Sequence, residues 1–164
     1  MTDTLPEIRE FIESTKLDFE VIDCKPELAD TFVFCKEYGI ALQDSVNTIL
    51  VKTKTGDLKY AACALLANTR LDINKMIRKK IGARKLSFAT IEETTKLTSM
   101  VIGGVTPITL PNILQLWVDS KVMQRTYIVV GGGNRSSKIK ISPKIFYFTP
   151  NTEIVDNLAN YINE

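Results

Sequence analysis

Histidine is absent from all 164 residues. That absence removes imidazole general bases, Ser-His-Asp and Cys-His dyads, and every histidine-ligated metal site. Cysteine is scarce: Cys24, Cys35 and Cys63 are odd in number and show no C-x-x-C spacing. Such usage fits a reduced, intracellular chain. A reactive thiolate would need a lysine or a helix terminus beside it, so Cys63 in an apolar strand and Cys35 in a helix read as packing residues. Carboxylates are either scattered (Asp18, Glu20, Asp23) or adjacent (Glu92, Glu93), which is poor spacing for a hard cation. No metal and no cofactor are expected. No apolar run approaches the ~18 residues of a membrane span, and the first residues are polar and acidic rather than signal-like. A cytoplasmic location with no membrane partner is expected.

The 21 basic and 19 acidic residues leave a formal charge of +2, so only local clustering could argue for nucleic acid. With 45% hydrophobic and 24% charged residues the chain is ordinary for a globular protein. At this length one domain spanning 1–164 can hold its own core.

Several segments declare themselves. Thr4-Leu5-Pro6-Glu7 offers a capping box of Thr4 with Glu7 and a proline in the first turn. Ile8, Phe11 and Ile12 follow at helical spacing, predicting an N-terminal helix within residues 1–16. Residues 19–22 suit a short strand, and 29–38 a helix closed by Gly39. Asn47 to Lys54, the turn Thr55-Gly56-Asp57 and Leu58 to Leu66 predict a hairpin. Residues 72–81 set Ile73, Met76, Ile77 and Ile81 against Asn74, Lys75, Arg78 and Lys79, as in an amphipathic helix. A strand at 84–88 precedes a helix capped by Thr90 and Glu93. Further strands are expected at 113–118, 125–130 and 138–141, and Ser142-Pro143 opens a helical C-terminal region, with a helix over 149–164. Hairpins interleaved irregularly with helices predict an α+β fold built on a mixed sheet.

Three features could carry chemistry. Gly103-Gly104 before Val105-Thr106-Pro107 lets backbone amides approach a ligand closely and point together, which polarises a carbonyl without charged side chains. Gly131-Gly132-Gly133-Asn134, after the apolar Ile128-Val129-Val130, could do the same or simply turn the chain. Neither loop fits a dinucleotide or phosphate-loop pattern. Asn47 lies in phase with Ile49 and Val51, which places it either at a hydrogen-bonded strand end or in a pocket. Finally, residues 70–85 hold Arg70, Lys75, Arg78, Lys79, Lys80, Arg84 and Lys85 against the single acid Asp72. That face could track a phosphate backbone or be a solvated helix surface.

Taken in order, D-S-V-N-T-I-L-V-K at 44–52, N-T-R-L-D-I-N-K at 68–75, L-T-S-M-V-I-G-G-V-T-P at 97–107, V-V-G-G-G-N at 129–134 and I-S-P at 141–143 resemble the YbaK/prolyl-tRNA synthetase-associated editing domain. The likeness extends over about residues 17–148. It implies a curved, partly barrel-like mixed sheet packed with helices, and hydrolysis of the ester of a mischarged tRNA, commonly alanyl- or cysteinyl-tRNA(Pro). It further implies tRNA as partner, a synthetase as a second one and no DNA; members are free-standing or inserted in a synthetase, and with nothing synthetase-like flanking the domain a free-standing member is expected. By resemblance Gly103 and Gly104 hold the ester carbonyl through their amides, with Asn47 as a third catalytic position. Thr48, Val105, Thr106, Pro107, Gly131, Gly132, Gly133 and Asn134 would line the substrate site. From the basic segment, on charge rather than resemblance, Lys75, Arg78 and Lys79 would meet the tRNA backbone. The substrate's terminal hydroxyl and a water would do much of the proton transfer, which suits a chain without histidine.

The resemblance breaks at one place. Family members carry K-T-L where this chain reads Asn47-Thr48-Ile49. Asparagine can hydrogen-bond a carbonyl but brings no charge and a shorter reach. Two expectations follow: a deacylase running on backbone donors and substrate assistance, or a module that binds the aminoacyl end, an amino acid or a synthetase without turnover. Under the first, restoring lysine at position 47 is expected to raise the rate.

Overall fold

The computed structural model describes residues 3–162. Helix α1 (Pro6–Thr15) is followed by β1 (Phe19–Asp23), α2 (Thr31–Tyr38), β2 (Val46–Thr53), β3 (Tyr60–Leu66) and β4 (Thr69–Leu71). Then come α3 (Arg78–Ile81), β5 (Leu86–Phe88), α4 (Ile91–Thr98), β6 (Gln115–Asp119), β7 (Ile128–Gly131), β8 (Ser137–Ile141), β9 (Thr152–Val155) and β10 (Ala159–Tyr161). The strands divide among a mixed five-stranded sheet, β5-β2-β3-β6-β9, an antiparallel β1-β8-β7 and a β10-β4 pair. The fold is α+β, as expected, but the strands are shared among three sheets and close into no barrel.

Alternation along the strands builds the layers. Val46 and Leu50 of β2, Leu116 and Val118 of β6, and Ile128, Val130, Ile139 and Ile141 of β7 and β8 share the main core with Ile8 and Ile12 of α1. The larger and smaller sheets therefore face each other, with α1 packed against both. The opposite face of the larger sheet (Val51, Cys63, Leu65, Trp117) is covered by Ile77, Ile81, Leu158 and Ala159. The outer face of the smaller sheet, at Val129, is covered by Phe34 and Cys35 of α2.

Three expectations need correction. Thr4 and Glu7 form no capping box; α1 has Leu5 at its cap, and the buried Thr4 hydroxyl donates to Gly132 O at 2.6 Å. That carbonyl also accepts from Leu5 N, so it claims the capping residue for a loop far along the chain. The segment 72–81 is helical but opens with a π-turn over Ile73–Ile77. The expected C-terminal helix is replaced by β9 and β10. Asn151 and Asn157 there take left-handed φ of 54° and 61°, which a right-handed helix cannot absorb. Thr152 to Val155 is rich in β-branched residues that add to the edge of β6 instead; residues 163–164 lie outside the described ones.

Helix α4 keeps its expected capping box, and its Glu93 does more. The carboxylate accepts from Lys52 Nζ at 2.8 and 2.9 Å and from the Tyr60 hydroxyl at 2.6 Å, joining α4 to the hairpin. The Lys52 ammonium, the Thr90 backbone and Tyr60 together hold Glu93 down at about 2, from an ordinary 4.5. A carboxylate so depressed contributes stability that is fully present above its ordinary value and is lost as pH falls from 4.5 toward 2. Glu93→Gln is therefore expected to lower the melting temperature at pH 7, with the gap from wild type closing across that acidic window. Thermal unfolding in a pH series checks it, and a gap that stays constant to the acid end would refute it.

Candidate functional site

The site lies where the two larger sheets meet. Ser45, just before β2, bridges Val129 of β7 in parallel, so the start of β2 runs beside the end of β7. Pairing of β7 with β8 sets Gly131 opposite Lys138. The first turn of α2 and the Gly103 loop close the remaining sides, leaving a cavity of about 140 Å³. Asn47, Thr48, Gly103, Val105 and Gly131 all line it, together with Thr31, Ser45 and Lys138.

The two glycine loops converge by packing backbone on backbone. Gly133 N donates to Gly104 O at 2.6 Å. A Cβ on Gly104 would stand 2.0 Å from Asn134 O, and one on Gly131 would stand 2.5 Å from Gly104 O. Glycine is required at both positions because no side chain fits between the strands of this contact.

Within the first loop, Gly104 N donates to Val101 O at 2.8 Å, and Gly103 takes φ 90°. Those are the marks of a tight turn that needs glycine at its third position. Gly104 is buried and off the cavity wall, and its N–H is already spent. The amide role expected for Gly104 is thus corrected: of the pair, Gly103 reaches the cavity. Its own N–H has no acceptor within the described chain. Arg135 anchors this turn from outside, donating to Ile102 O at 2.8 Å and Pro26 O at 2.9 Å while pairing with Asp30 at 3.0 Å.

Five other expected wall residues lie behind the wall and do not line the cavity. Gly132 receives Thr4, and Gly133 lies against Leu5 and Ile8. Asn134 Oδ1 accepts from Ser137 Oγ at 2.7 Å. Thr106 is fully buried, its N–H directed at Met100 Sδ at 3.4 Å. Pro107 is buried as well and does not line the cavity.

Asn47 is oriented by Thr31, whose hydroxyl donates to Asn47 Oδ1 at 2.5 Å. The amide nitrogen is left as a donor at the cavity wall. Thr48 contributes an edge. Leu50 O accepts from Ala89 N, so the even-numbered residues of β2 turn their backbone polar groups away from β3. Pairing with β5 begins only at Val51, which leaves Thr48 in phase on an unpaired edge beside the cavity. Its hydroxyl is buried with no hydrogen-bond partner among the described residues.

Sequence reasoning missed Thr31, Ser45 and, above all, Lys138. A weak signal existed: in Lys138-Ile139-Lys140-Ile141 the isoleucines face the main core, so both lysines point the other way. Nothing local told that α2 covers that face. Cysteine chemistry is excluded on environment: burial raises Cys24 and Cys35 and pushes the Cys63 thiol up to about 12. The basic residues Lys75, Arg78 and Lys79 are exposed and apart from the cavity. Arg78 joins Lys54, Arg84 and Lys85 around a separate surface depression of about 220 Å³.

The aminoacyl-tRNA editing domain matches residues 25–146 of this chain. Among solved structures, the crystal structure of a hypothetical protein superposes with a TM-score of 0.81 at 24% identity, covering 94% of this chain and 99% of that one. A protein proposed as a trans-editing enzyme for prolyl-tRNA synthetase gives 0.73 at 21% identity, over 92% of this chain and 96% of that one. A proposed signal transduction protein from Marinobacter aquaeolei gives 0.60 at 16% identity, over 94% of this chain and 31% of that one. At these identities the likeness is one of fold.

Proposed function

Because the chain belongs to the aminoacyl-tRNA editing domain family, we propose that it hydrolyses, in trans, the ester of a mischarged tRNA. The substrate would be a tRNA(Pro) carrying a small amino acid such as alanine or cysteine, with the cognate synthetase as a second partner. The observation that carries this reading is the cavity itself, which joins Asn47, Thr48, Gly103 and Gly131 in one place. Its volume of about 140 Å³ is near the ~150 Å³ of a cavity that accepts benzene. An aminoacyl group of five or six non-hydrogen atoms fits such a space.

The lining residues include no carboxylate, thiol or phenol, and the chain has no histidine. With the one amine of the wall, Lys138, committed to carbonyls, the proton acceptor in this reading is the substrate's own free hydroxyl on the terminal ribose. Water adds to the ester carbon and the carbonyl becomes an oxyanion. The bond from that carbon to the ribose oxygen then breaks, and the departing oxygen takes up the proton the water lost. Free amino acid and deacylated tRNA result. This chain's part is to hold the ester: the Asn47 amide and the unpaired backbone edge at Thr48 supply donors, while the Gly103 N–H awaits the developing charge.

The deciding experiment offers the protein a panel of mischarged tRNAs and compares deacylation with equilibrium binding of the same tRNAs. Turnover of a small-residue tRNA(Pro) is expected. Tight binding with no turnover of any member would replace hydrolysis by a binding module.

Lys75, Arg78 and Lys79 form no ion pair with a described residue, and we assign them to the tRNA backbone. Lys54, which shares the depression with Arg78, directly follows β2 and is seven residues on from Asn47, or roughly 23 Å of extended chain. Arg78→Ala is therefore expected to weaken tRNA binding and reduce the slope of log affinity against log salt by about one, with single-turnover rates at saturation unchanged. An unchanged slope would remove this face from the interface.

A further inference from the structure

Lys138 is 7% exposed and projects from β8 beneath α2. Its ammonium donates to Ala29 O at 2.8 Å and Gly103 O at 2.5 Å and stands 5.3 Å from the centre of the Phe34 ring. It forms no ion pair with a described residue: Asp30, an acid near it, is taken by Arg135. A charge this deep is expensive to keep, and two carbonyl dipoles and a ring face offset only part of the cost. Replacement by an apolar side chain of like size is often neutral or stabilising in such settings. Yet this charge is placed on the wall of the cavity, directly across the strand pair from Gly131 and bonded to Gly103 itself.

We propose that Lys138 is the cation of the site: its ammonium fixes the Gly103 turn through the carbonyl and meets the oxyanion that forms when water adds to the ester. This rests on the hydrolytic reading above and deepens it. Two of the three ammonium protons are committed to carbonyls, which leaves one for a ligand oxygen. Among the described residues no other cationic side chain lines the cavity. A neutral amine would instead offer a lone pair and act as a base. Two carbonyl oxygens and an aromatic face, all electron-rich, favour the charged form.

The two roles differ in the sign of their pH dependence. The titratable and charged groups around Lys138 are Cys24 after β1, Cys35 on α2, Asp30 before α2 and Arg135 in the glycine loop. Burial lowers Lys138 from its ordinary value more than Cys24, the largest opposing influence, raises it. As a cation it supports turnover below its titration and loses that support as pH rises through it. As a base it would do the reverse.

The test measures affinity for two adenosine probes. One carries a 3′-(1-aminoethyl)phosphonate, a tetrahedral anion. The other is 3′-alanylamino-3′-deoxyadenosine, whose amide is neutral and planar. Wild type is expected to prefer the phosphonate by about 100-fold, with the preference falling as pH rises through the lysine titration. Lys138→Met is expected to abolish the preference and to slow single-turnover deacylation by on the order of 100- to 1,000-fold. Loss of the alkaline decline in the same variant would identify Lys138 as its source. A Lys138→Met protein that keeps the preference, or deacylates within threefold of wild type, overturns the proposal. So does a wild-type rate that climbs through the lysine titration. If Lys138→Met does not fold, the pH dependence of the wild-type preference decides alone. Should wild type turn over no tRNA yet keep the phosphonate preference, the hydrolytic reading fails while the cation stands.

Discussion

Gly104→Ala is expected to cost the protein its stability, lowering the melting temperature by on the order of 10 °C. The added Cβ would lie 2.0 Å from Asn134 O, 2.4 Å from Asn134 C and 2.8 Å from Asn134 N. All three are backbone atoms, so no rotamer relieves the clash and the two glycine loops must part. Parting them breaks the 2.6 Å bond from Gly133 N to Gly104 O and uncovers Gly131 behind it. Overpacking of about 1–3 kcal/mol and a lost buried hydrogen bond of about 1 kcal/mol together exceed most single substitutions. A chain of this length shifts by about 2–4 °C for each kcal/mol.

Gly39→Ala is the control. Gly39 has φ 70° but nothing within 4 Å of a Cβ, so only the backbone strain of about 1–2 kcal/mol applies. Equal melting temperatures for the two variants would show that the loops do not need their close contact. A Gly104 amide free to hold the ester, as the resemblance implies, would make turnover the primary readout of this substitution. With the Gly104 N–H closing a turn on Val101 O, stability becomes the primary readout, and of the pair Gly103 is the one that lines the cavity.

The same contrast shows what the sequence could and could not disclose. The G-G-V-T-P and G-G-G-N loops, Asn47 and the capped helix at Thr90 are local signals, and the structure brings Gly103, Gly131 and Asn47 to one cavity. Which way a glycine amide points is not local. It depends on Val101 for one end of the peptide and on Gly133, in another loop, for its neighbour. Lys138 was illegible for the same reason: its partner carbonyls at Ala29 and Gly103 are 109 and 35 residues away. The short β9 and β10 exist by pairing with β6 and β4. Segments of four and three residues carry too little periodicity to announce a strand.

Asn47→Lys is expected to lower turnover by roughly 100-fold, the opposite of what the family's K-T-L pattern suggests. The cavity already holds one ammonium at Lys138, and position 47 lines the same wall. Two unit charges in one small cavity repel each other, and losing a positioned donor to an oxyanion costs on the order of 100-fold in rate. One of the two would have to deprotonate or withdraw, taking with it either the Gly103 clamp or the space for the ester. Asn47→Leu separates charge from the lost Thr31 contact, because leucine removes that 2.5 Å bond equally without adding a cation. In a Lys138→Met background the sign should reverse: Asn47→Lys then supplies the missing charge and raises single-turnover deacylation at least tenfold over Lys138→Met alone. A rate increase on placing lysine at position 47 of the wild type would mean that the cavity tolerates two cations. The positive charge at Lys138 would then be set apart from the ester, and the single-cation account of this site would be wrong.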